Sequence, residues 1–296
     1  MTKFIGIIGY PLKHSISPYF QQAALDYYGL DIRYQAWETS PEELESTVTK
    51  IRQPENLGAN VTVPYKETVL PLLDEVDDLA GSIGAVNTIV KRDNRLLGFN
   101  TDGYGFIEAL YKEGHFEPEG KQIVILGAGG AAKAVSFALV QQKANSLLII
   151  NRTLERAETL ADSINRYVKD SSVSPEGLKT KVTALPWQSL YSGKTLEHCH
   201  LIVNCTTIGM RYSSQEGQSP LSAELIPKNV LVYDLVYNPW ETPLLQLAQN
   251  AGANILRGLA MLVYQGVASF ELWTGKKPPV DIMFNKAKQI LLKGGG

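Results

Sequence analysis

The stretch Gly58-Ala-Asn-Val-Thr-Val-Pro-Tyr-Lys-Glu67 places an amine, Lys66, two residues past a proline that closes a β-branched run. An ammonium on a turn stiffened by Pro64 can donate a proton to a developing alkoxide. A carboxylate would orient such an amine, and Asp102, in Phe99-Asn-Thr-Asp-Gly103, follows another short strand pattern. Strands of a parallel sheet often deliver their C-terminal residues to one crevice, so the two side chains are expected to converge. Most lysines are solvated surface groups, and the pattern by itself leaves that reading open.

A second chemical signal is Gly127-Ala128-Gly129-Gly130-Ala131-Ala132, between the apolar run Gln-Ile-Val-Ile-Leu and a helical stretch. It reads as G-x-G-x-x-A. Gly127 permits the tight turn, Gly129 lets a pyrophosphate approach the backbone, and Ala132 lets helix and strand pack closely. The helix N-terminus then faces the phosphates. The next strand pattern ends in Asn151-Arg152-Thr153, where an NAD-preferring site usually carries Asp or Glu. Arg152, with Arg156 one turn further, would instead pair with a 2′-phosphate, which points to NADP. Were both arginines ordinary surface groups, Glu155 would neutralise one of them.

A nicotinamide cofactor calls for an acid–base group at the substrate oxygen. The Tyr-x-x-x-Lys arrangement is absent from the chain. His198-Cys199-His200 with Cys205 resembles a ligand set, but neighbours on a strand alternate faces and no four-ligand spacing emerges, so no metal is expected. Lys66 therefore stands as the candidate acid. The formal net charge of −2, without long basic runs, provides no field to recruit nucleic acid or membrane. The two cysteines form no disulfide framework, no stretch is long enough to span a bilayer, and the N-terminal apolar run before Pro11 is too short for a signal peptide. The expectation is a cytoplasmic protein acting on a small molecule. The sequons at Asn60, Asn151 and Asn204 then occur by chance.

The 296 residues, 44 % of them hydrophobic, suggest two α/β domains. Residues 4–9 and 32–38 read as strands. Ser17 reads as the cap of a helix with Pro18 at its first position and a stop at Gly29. Ser40, Pro41 and Glu43 form a capping-box pattern. Ala59–Val63 reads as a buried strand, followed by a helical stretch and two short strands around Asp93-Asn94. From about 104 the texture changes to strand, glycine turn, helix and further apolar strands, which predicts an open parallel Rossmann-type sheet over 104–239. Residues 171–181 read as a loop, and the terminal glycines as disordered. Two helical stretches after Pro239 are expected to return to the first domain, giving 1–103 with 240–296 as one unit.

These residues resemble the shikimate 5-dehydrogenases, NADP enzymes of aromatic amino-acid biosynthesis, over nearly the whole length. Gly6-x-x-Gly9 with Ser15-x-Ser17-Pro18 is similar to that family's substrate-carboxylate motif, and Asn60-Val-Thr-x-Pro-x-Lys66 to its lysine motif. Gly84-Ala-Val-Asn87-Thr, Asn100-Thr-Asp102-Gly, Asn204-Cys-Thr-Thr-x-Gly209-Met, Asp234-x-x-Tyr237-x-Pro and Gly258-x-x-Met261-Leu-x-x-Gln265 follow in the family's order. Cys205 and Thr207 stand where the family more often has Ala and Ser. The resemblance implies an α/β substrate domain beside the Rossmann domain, with the reaction in the opening between them. It makes Lys66 and Asp102 the catalytic pair, Ser15 and Ser17 the carboxylate binders, and Thr62, Asn87, Asp102 and Gln265 the ring-hydroxyl binders. Tyr237 would line the substrate site near the nicotinamide. The glycine turn (Gly127, Ala128, Gly129, Gly130, Ala131), Asn151, Arg152, Thr153, Arg156, Thr206, Gly258 and Met261 would hold NADP. Asn87 and Gln265, on their own, read as ordinary buried hydrogen-bonding residues. The implied reaction is reversible reduction of 3-dehydroshikimate to shikimate, by a monomer or a homodimer. Two alternatives stay open: a quinate/shikimate dehydrogenase using NAD, and a cofactor-binding regulator without catalysis. Quinate would need more room near Ser15 and Ser17 and an acid at the cofactor strand tip.

Overall fold

The structure, a computed structural model, describes residues 2–170, 177–192 and 194–293. The terminal glycines and most of the predicted loop, 171–176, lie outside the described residues. The described residues divide into two compact units, one of residues 2–105 together with 263–293, the other within Phe106–Leu262.

The first unit opens with β1 (Lys3–Gly9), α1 (Ser17–Tyr27), β2 (Ile32–Glu38), α2 (Leu44–Lys50) and β3 (Asn56–Val61). It continues with β4 (Glu75–Val76), α3 (Asp78–Ile83), β5 (Thr88–Arg92), β6 (Arg95–Phe99) and α4 (Asp102–Lys112), inside which the chain crosses to the second unit. The sheet order is β2-β1-β3-β5-β6-β4. β1 is flanked by parallel β2 and β3, and its run from Ile5 to Gly9 is buried, as a strand covered on both faces requires. Asp93 and Asn94 adopt φ of 47° and 64°, the left-handed pair of a type I′ turn, so β5 and β6 form a hairpin and β5 runs antiparallel to β3. The sheet is therefore mixed. The core on one side gathers Ile8, Val48, Ile51, Val61, Val69, Ile89 and Leu96.

Two local expectations are corrected here. β3 ends at Val61, where its ladder with Ile8 ends, and Val63 is 65 % exposed. Ser17 is the first residue of α1 and not its cap: Ile16 holds the cap position, and no side chain there accepts a first-turn amide. The Ser40 pattern does fold as read. Ser40 N and Oγ donate to the Glu43 carboxylate at 3.2 and 3.0 Å, starting a short 3-10 turn that leads into α2.

The second unit holds β7 (Gln122–Leu126), α5 (Gly130–Gln141), β8 (Ser146–Asn151), α6 (Leu154–Lys169), β9 (Lys181–Pro186), β10 (Leu201–Asn204), β11 (Leu231–Asp234), α7 (Pro243–Asn250) and β12 (Asn254–Arg257). All neighbours pair in parallel, in the order β12-β11-β10-β7-β8-β9. β10 and β11 are buried at every residue and α5 from Ala134 through Val140, the signature of elements covered on both sides. The expected return at 240 is also corrected. α7 and β12 belong to this second unit because β12 extends its sheet by pairing with β11, and the return comes inside α8 (Leu259–Thr274). α8 continues in the first unit, where α9 (Val280–Lys293) packs against α1. Among the described residues no helix is long and apolar enough to cross a membrane.

Candidate active site

In the first unit, backbone bonds put Lys66 and Asp102 side by side. After β3 the chain turns. Tyr65, 3 % exposed, pins the turn from below by donating its hydroxyl to the Thr39 carbonyl at 2.6 Å. The Lys66 carbonyl accepts from Val86 N at 2.7 Å, so Lys66 and the residue before Asn87 are tied by one bond. Asp102 opens α4, where a helix N-terminus favours negative charge. Asn100 fixes that start: its side chain accepts from Asp102 N at 3.0 Å and donates to the Ala85 carbonyl at 2.9 Å. The result is a Lys66 Nζ to Asp102 Oδ2 contact of 2.5 Å, with the carboxylate side chain 5 % and the lysine side chain 19 % exposed. The amine is thus the more open member of a half-buried ion pair.

The other carboxylate oxygen is also taken. Asn87 Nδ2 donates to Asp102 Oδ1 and to Thr101 Oγ1, each at 2.9 Å, and to Gln265 Oε1 at 3.2 Å. Asn87 Oδ1 accepts from Thr101 N at 2.8 Å and from the Thr88 hydroxyl at 3.0 Å. Behind this layer, Asn60 Nδ2 donates to Ser269 Oγ at 3.1 Å and to Thr88 Oγ1 at 3.2 Å, while its oxygen accepts from Tyr34 OH at 2.7 Å. Ser269 Oγ in turn donates to the Gln265 carbonyl at 3.0 Å, one turn back on α8. Each buried amide is thereby satisfied and its orientation set. Lys66, Asp102, Asn87 and Gln265 belong to one connected set. Tyr34, Thr88, Thr101 and Ser269 were missed, since nothing in their spacing distinguishes them from core-lining residues.

Ser15, Ser17 and Thr62 stand apart from that set. Ser15 is half-buried and Ser17 buried, and among the described residues neither hydroxyl has a protein partner. Both lie at the uncapped start of α1, a place that suits a carboxylate ligand. Thr62, half-buried, directly follows β3 and packs its methyl close to Gly9.

In the second unit, Gly127 has φ of 106°, a backbone state that glycine adopts without strain. A Cβ there would meet Cys205 C and Thr206 Cγ2 at 3.2 Å, whereas one on Gly129 would meet nothing within 4 Å. The second glycine thus faces open space, as a backbone approached by a phosphate must. Gly129 caps α5 without a side chain, and no acidic residue occupies the first helical turn, so nothing competes with an anion there. Ala132 is fully buried, as close helix–strand packing requires. Arg152 and Arg156 are exposed beyond the end of β8, and among the described residues neither forms an ion pair, with Glu155 or any other carboxylate. Asn151 steadies this tip by donating to the Thr153 carbonyl at 2.8 Å. The open glycine turn and the two free guanidinium groups fit a dinucleotide with a 2′-phosphate.

Gly258 and Met261, expected beside the cofactor, follow β12 in this unit, Met261 buried and Gly258 pressed against the Asp234 and Leu235 backbone. Tyr237, expected to line the substrate site, belongs to the second unit, half-buried after β11. Burial pushes its phenol up to about 12, so near neutral pH it stays protonated, a donor and not a base. Burial likewise raises the thiols of Cys199, to about 12, and of Cys205, which removes both as nucleophiles.

A parallel sheet with an open glycine turn, in one chain with a half-buried lysine–carboxylate pair carried on the turn after β3 and the start of α4, has the parts of a nicotinamide-dependent dehydrogenase. Comparison with known proteins narrows this class. Residues 7–89 match the family model for the shikimate dehydrogenase substrate binding domain, 110–180 that for shikimate / quinate 5-dehydrogenase, and 258–283 that for the shikimate 5'-dehydrogenase C-terminal domain. The shikimate dehydrogenase (NADP(+)) of Methanopyrus kandleri is 42 % identical over 282 residues, covering 95 % of this chain and 93 % of the relative. A crystal structure of a shikimate dehydrogenase in complex with NADP+ superposes with a TM-score of 0.87 at 38 % identity, covering 98 % of this chain and 96 % of that one. The quinate dehydrogenase of Corynebacterium glutamicum, in complex with NAD, gives 0.85 at 30 % identity, covering 97 % and 99 %. The chain belongs to the shikimate dehydrogenase family.

Proposed function

We propose that this chain catalyses the reversible, NADP-dependent interconversion of 3-dehydroshikimate and shikimate, with Lys66 as the proton donor. The observation that carries this reading is the 2.5 Å Lys66–Asp102 pair, whose lysine lies in the segment that matches the family's substrate-binding domain and which Asn87 and Gln265 extend. NADPH, when bound, supplies the hydride that reduces the ketone. Lys66 Nζ hydrogen-bonds the ketone oxygen and gives up a proton as that oxygen becomes an alkoxide; in the reverse direction it takes the proton back. Asp102 holds the amine and neutralises its charge. Asn87 and Gln265 present fixed polar edges to the ring hydroxyls, with Thr62 at the rim, while Ser15 and Ser17 take the carboxylate at the start of α1. Tyr237 donates a hydrogen bond on the cofactor side. The free thiols of Cys199 and Cys205 suit a reducing cytoplasm.

The direct test is a spectrophotometric assay with shikimate or quinate against NADP or NAD. Reduction of NADP by shikimate, faster than any other pairing, is the expected result. A preference for quinate with NAD would favour the quinate reading, and no turnover with either substrate would leave a cofactor-binding protein. The NADP arm is favoured by the carboxylate-free tip of β8 with its two unpaired arginines.

Two substitutions follow from these assignments. Ser15→Ala should raise KM for shikimate by roughly tenfold or more, as loss of a charge-assisted hydrogen bond of about 1.5–3 kcal/mol requires. An unchanged KM would remove Ser15 from the carboxylate site. Arg152→Ala should raise KM for NADPH while leaving that for NADH nearly unaltered, because only the former carries the phosphate. Measured kcat/KM ratios for the two cofactors decide it, and an unmoved ratio rejects the assignment.

A further inference from the structure

Asp234 ends β11, is fully buried, and has no part in the proton and phosphate chemistry above. Its carboxylate is nevertheless saturated with donors. Asn204 Nδ2 and Val236 N donate to Oδ1 at 2.9 and 3.1 Å, and Thr242 Oγ1 donates to Oδ2 at 2.6 Å. Burial pushes the carboxyl up to about 6, and these three neutral donors pull the other way. Retaining a buried acid at such a cost calls for an explanation, and its main partner supplies one.

Asn204 ends β10, also fully buried, and is the register partner of Asp234 on one side and of Leu126 on the other. Held by Asp234 through its nitrogen, Asn204 turns its oxygen forward. That oxygen accepts from Thr206 N at 3.0 Å and Thr206 Oγ1 at 2.7 Å, and Thr206 Oγ1 accepts from Ile208 N at 3.2 Å. Cys205 N is fixed to the Leu126 carbonyl at 2.8 Å. The loop so shaped lies against Gly127, since a Cβ on that glycine would come within 3.2 Å of Cys205 C and Thr206 Cγ2.

Topology locates this loop functionally. The chain runs outward from β7 to β9, then restarts at β10 on the other side of β7. Open α/β sheets take their ligands outside the strand ends at such a switch point. Two loops flank it: the glycine turn after Leu126 and the loop after Asn204. Asp234 lies one strand behind the second.

We propose that Asp234 is a positioning residue for the dinucleotide, acting through Asn204 to hold the Cys205–Thr206 loop against the glycine turn. This rests on the reading that the turn binds NADP. Asp234 also joins that loop to α7, since Thr242, which its carboxylate holds, caps α7 by accepting from Leu245 N at 3.3 Å. A loop misplaced by a fraction of an ångström loses ligand affinity without losing the fold.

The test compares Asp234→Ala, Asp234→Asn and Asn204→Ala by calorimetric titration with NADPH and, separately, with shikimate. Asp234→Ala and Asn204→Ala should each weaken NADPH binding at least tenfold while leaving shikimate binding within twofold. Asp234→Asn keeps the oxygen that accepts from Asn204 and should stay within about threefold of the unaltered chain. In the free protein, amide exchange at Thr206 and Ile208 should accelerate in the two alanine variants and not in Asp234→Asn. Native NADPH affinity in either folded alanine variant, equal losses for both ligands, or failure of both to fold would overturn the assignment. Failure of the unaltered chain to bind NADPH would sink the cofactor reading itself, an outcome distinct from all of these.

Discussion

Lys66→Ala is expected to lower kcat by about a hundredfold or more while KM for shikimate changes only a few-fold, the scale typical of losing a positioned acid. The geometry makes this the residue with most to lose. Its Nζ is the more open end of the pair with Asp102, and the turn that carries it is held by Tyr65 and by its own carbonyl. No second amine replaces it among the hydrogen-bonded residues around Asp102, which are amides and hydroxyls. Lys66→Arg sharpens the test. A guanidinium keeps the positive charge and the pairing with Asp102, but it is too weak an acid to release a proton near neutral pH. If Lys66 donates the proton, arginine keeps substrate binding and does not restore turnover. If the charge alone polarises the ketone, arginine recovers much of kcat. Native kcat in Lys66→Ala with a steep rise in KM would instead make Lys66 a binding group.

How far these residues could be read before the fold was known depends on how local their signal is. β2 (Ile32–Glu38), the glycine turn after β7 and the Asp93-Asn94 hairpin carry their own period or turn chemistry, and each lies where the sequence placed it. Val63 does not. A three-residue β-branched run cannot say where its ladder with a distant strand stops, and that ladder stops at Val61. β12 was invisible for a related reason: Asn254–Arg257 is too short to alternate, and pairing with β11 alone makes it a strand. Missing it moved the boundary of the second unit from Leu262 back to 239. The site divides the same way. Lys66 and Asp102 were legible through motifs, but their 2.5 Å approach depends on two long-range bonds, Asn100 to the Ala85 carbonyl and Val86 N to the Lys66 carbonyl. Ser269 looks like one more small residue on an apolar helix, and only the packing of α8 reveals its partners Asn60, Thr88 and Thr101.

Asp102→Asn should be nearly as damaging as removal of the lysine, although it exchanges one oxygen for an amide nitrogen and little else. Both carboxylate oxygens are acceptors in the native arrangement, one for Lys66 Nζ and one for Asn87 Nδ2. An amide has one acceptor and one donor. Turned with its oxygen to Lys66, the introduced amide would point an N–H at the Asn87 N–H; turned the other way, it would point one at the ammonium. Asn87 cannot flip to compensate, because its oxygen already accepts from Thr101 N, Thr101 Oγ1 and the Thr88 hydroxyl. One buried donor is left unsatisfied in either orientation, at about 1–3 kcal/mol, more when the orphan is charged. The amine loses its neutralising partner and its aim together. We expect kcat/KM to fall by about a hundredfold or more, with kcat carrying most of the loss. Because the two residues act as one unit, Lys66→Ala and Asp102→Asn combined should cost little more than the worse of the two alone. Losses that multiply in the double variant would mean that the carboxylate acts on the substrate independently of the amine. Asp102→Asn with kcat/KM within threefold of the native value would show that the pair does not set the reacting geometry.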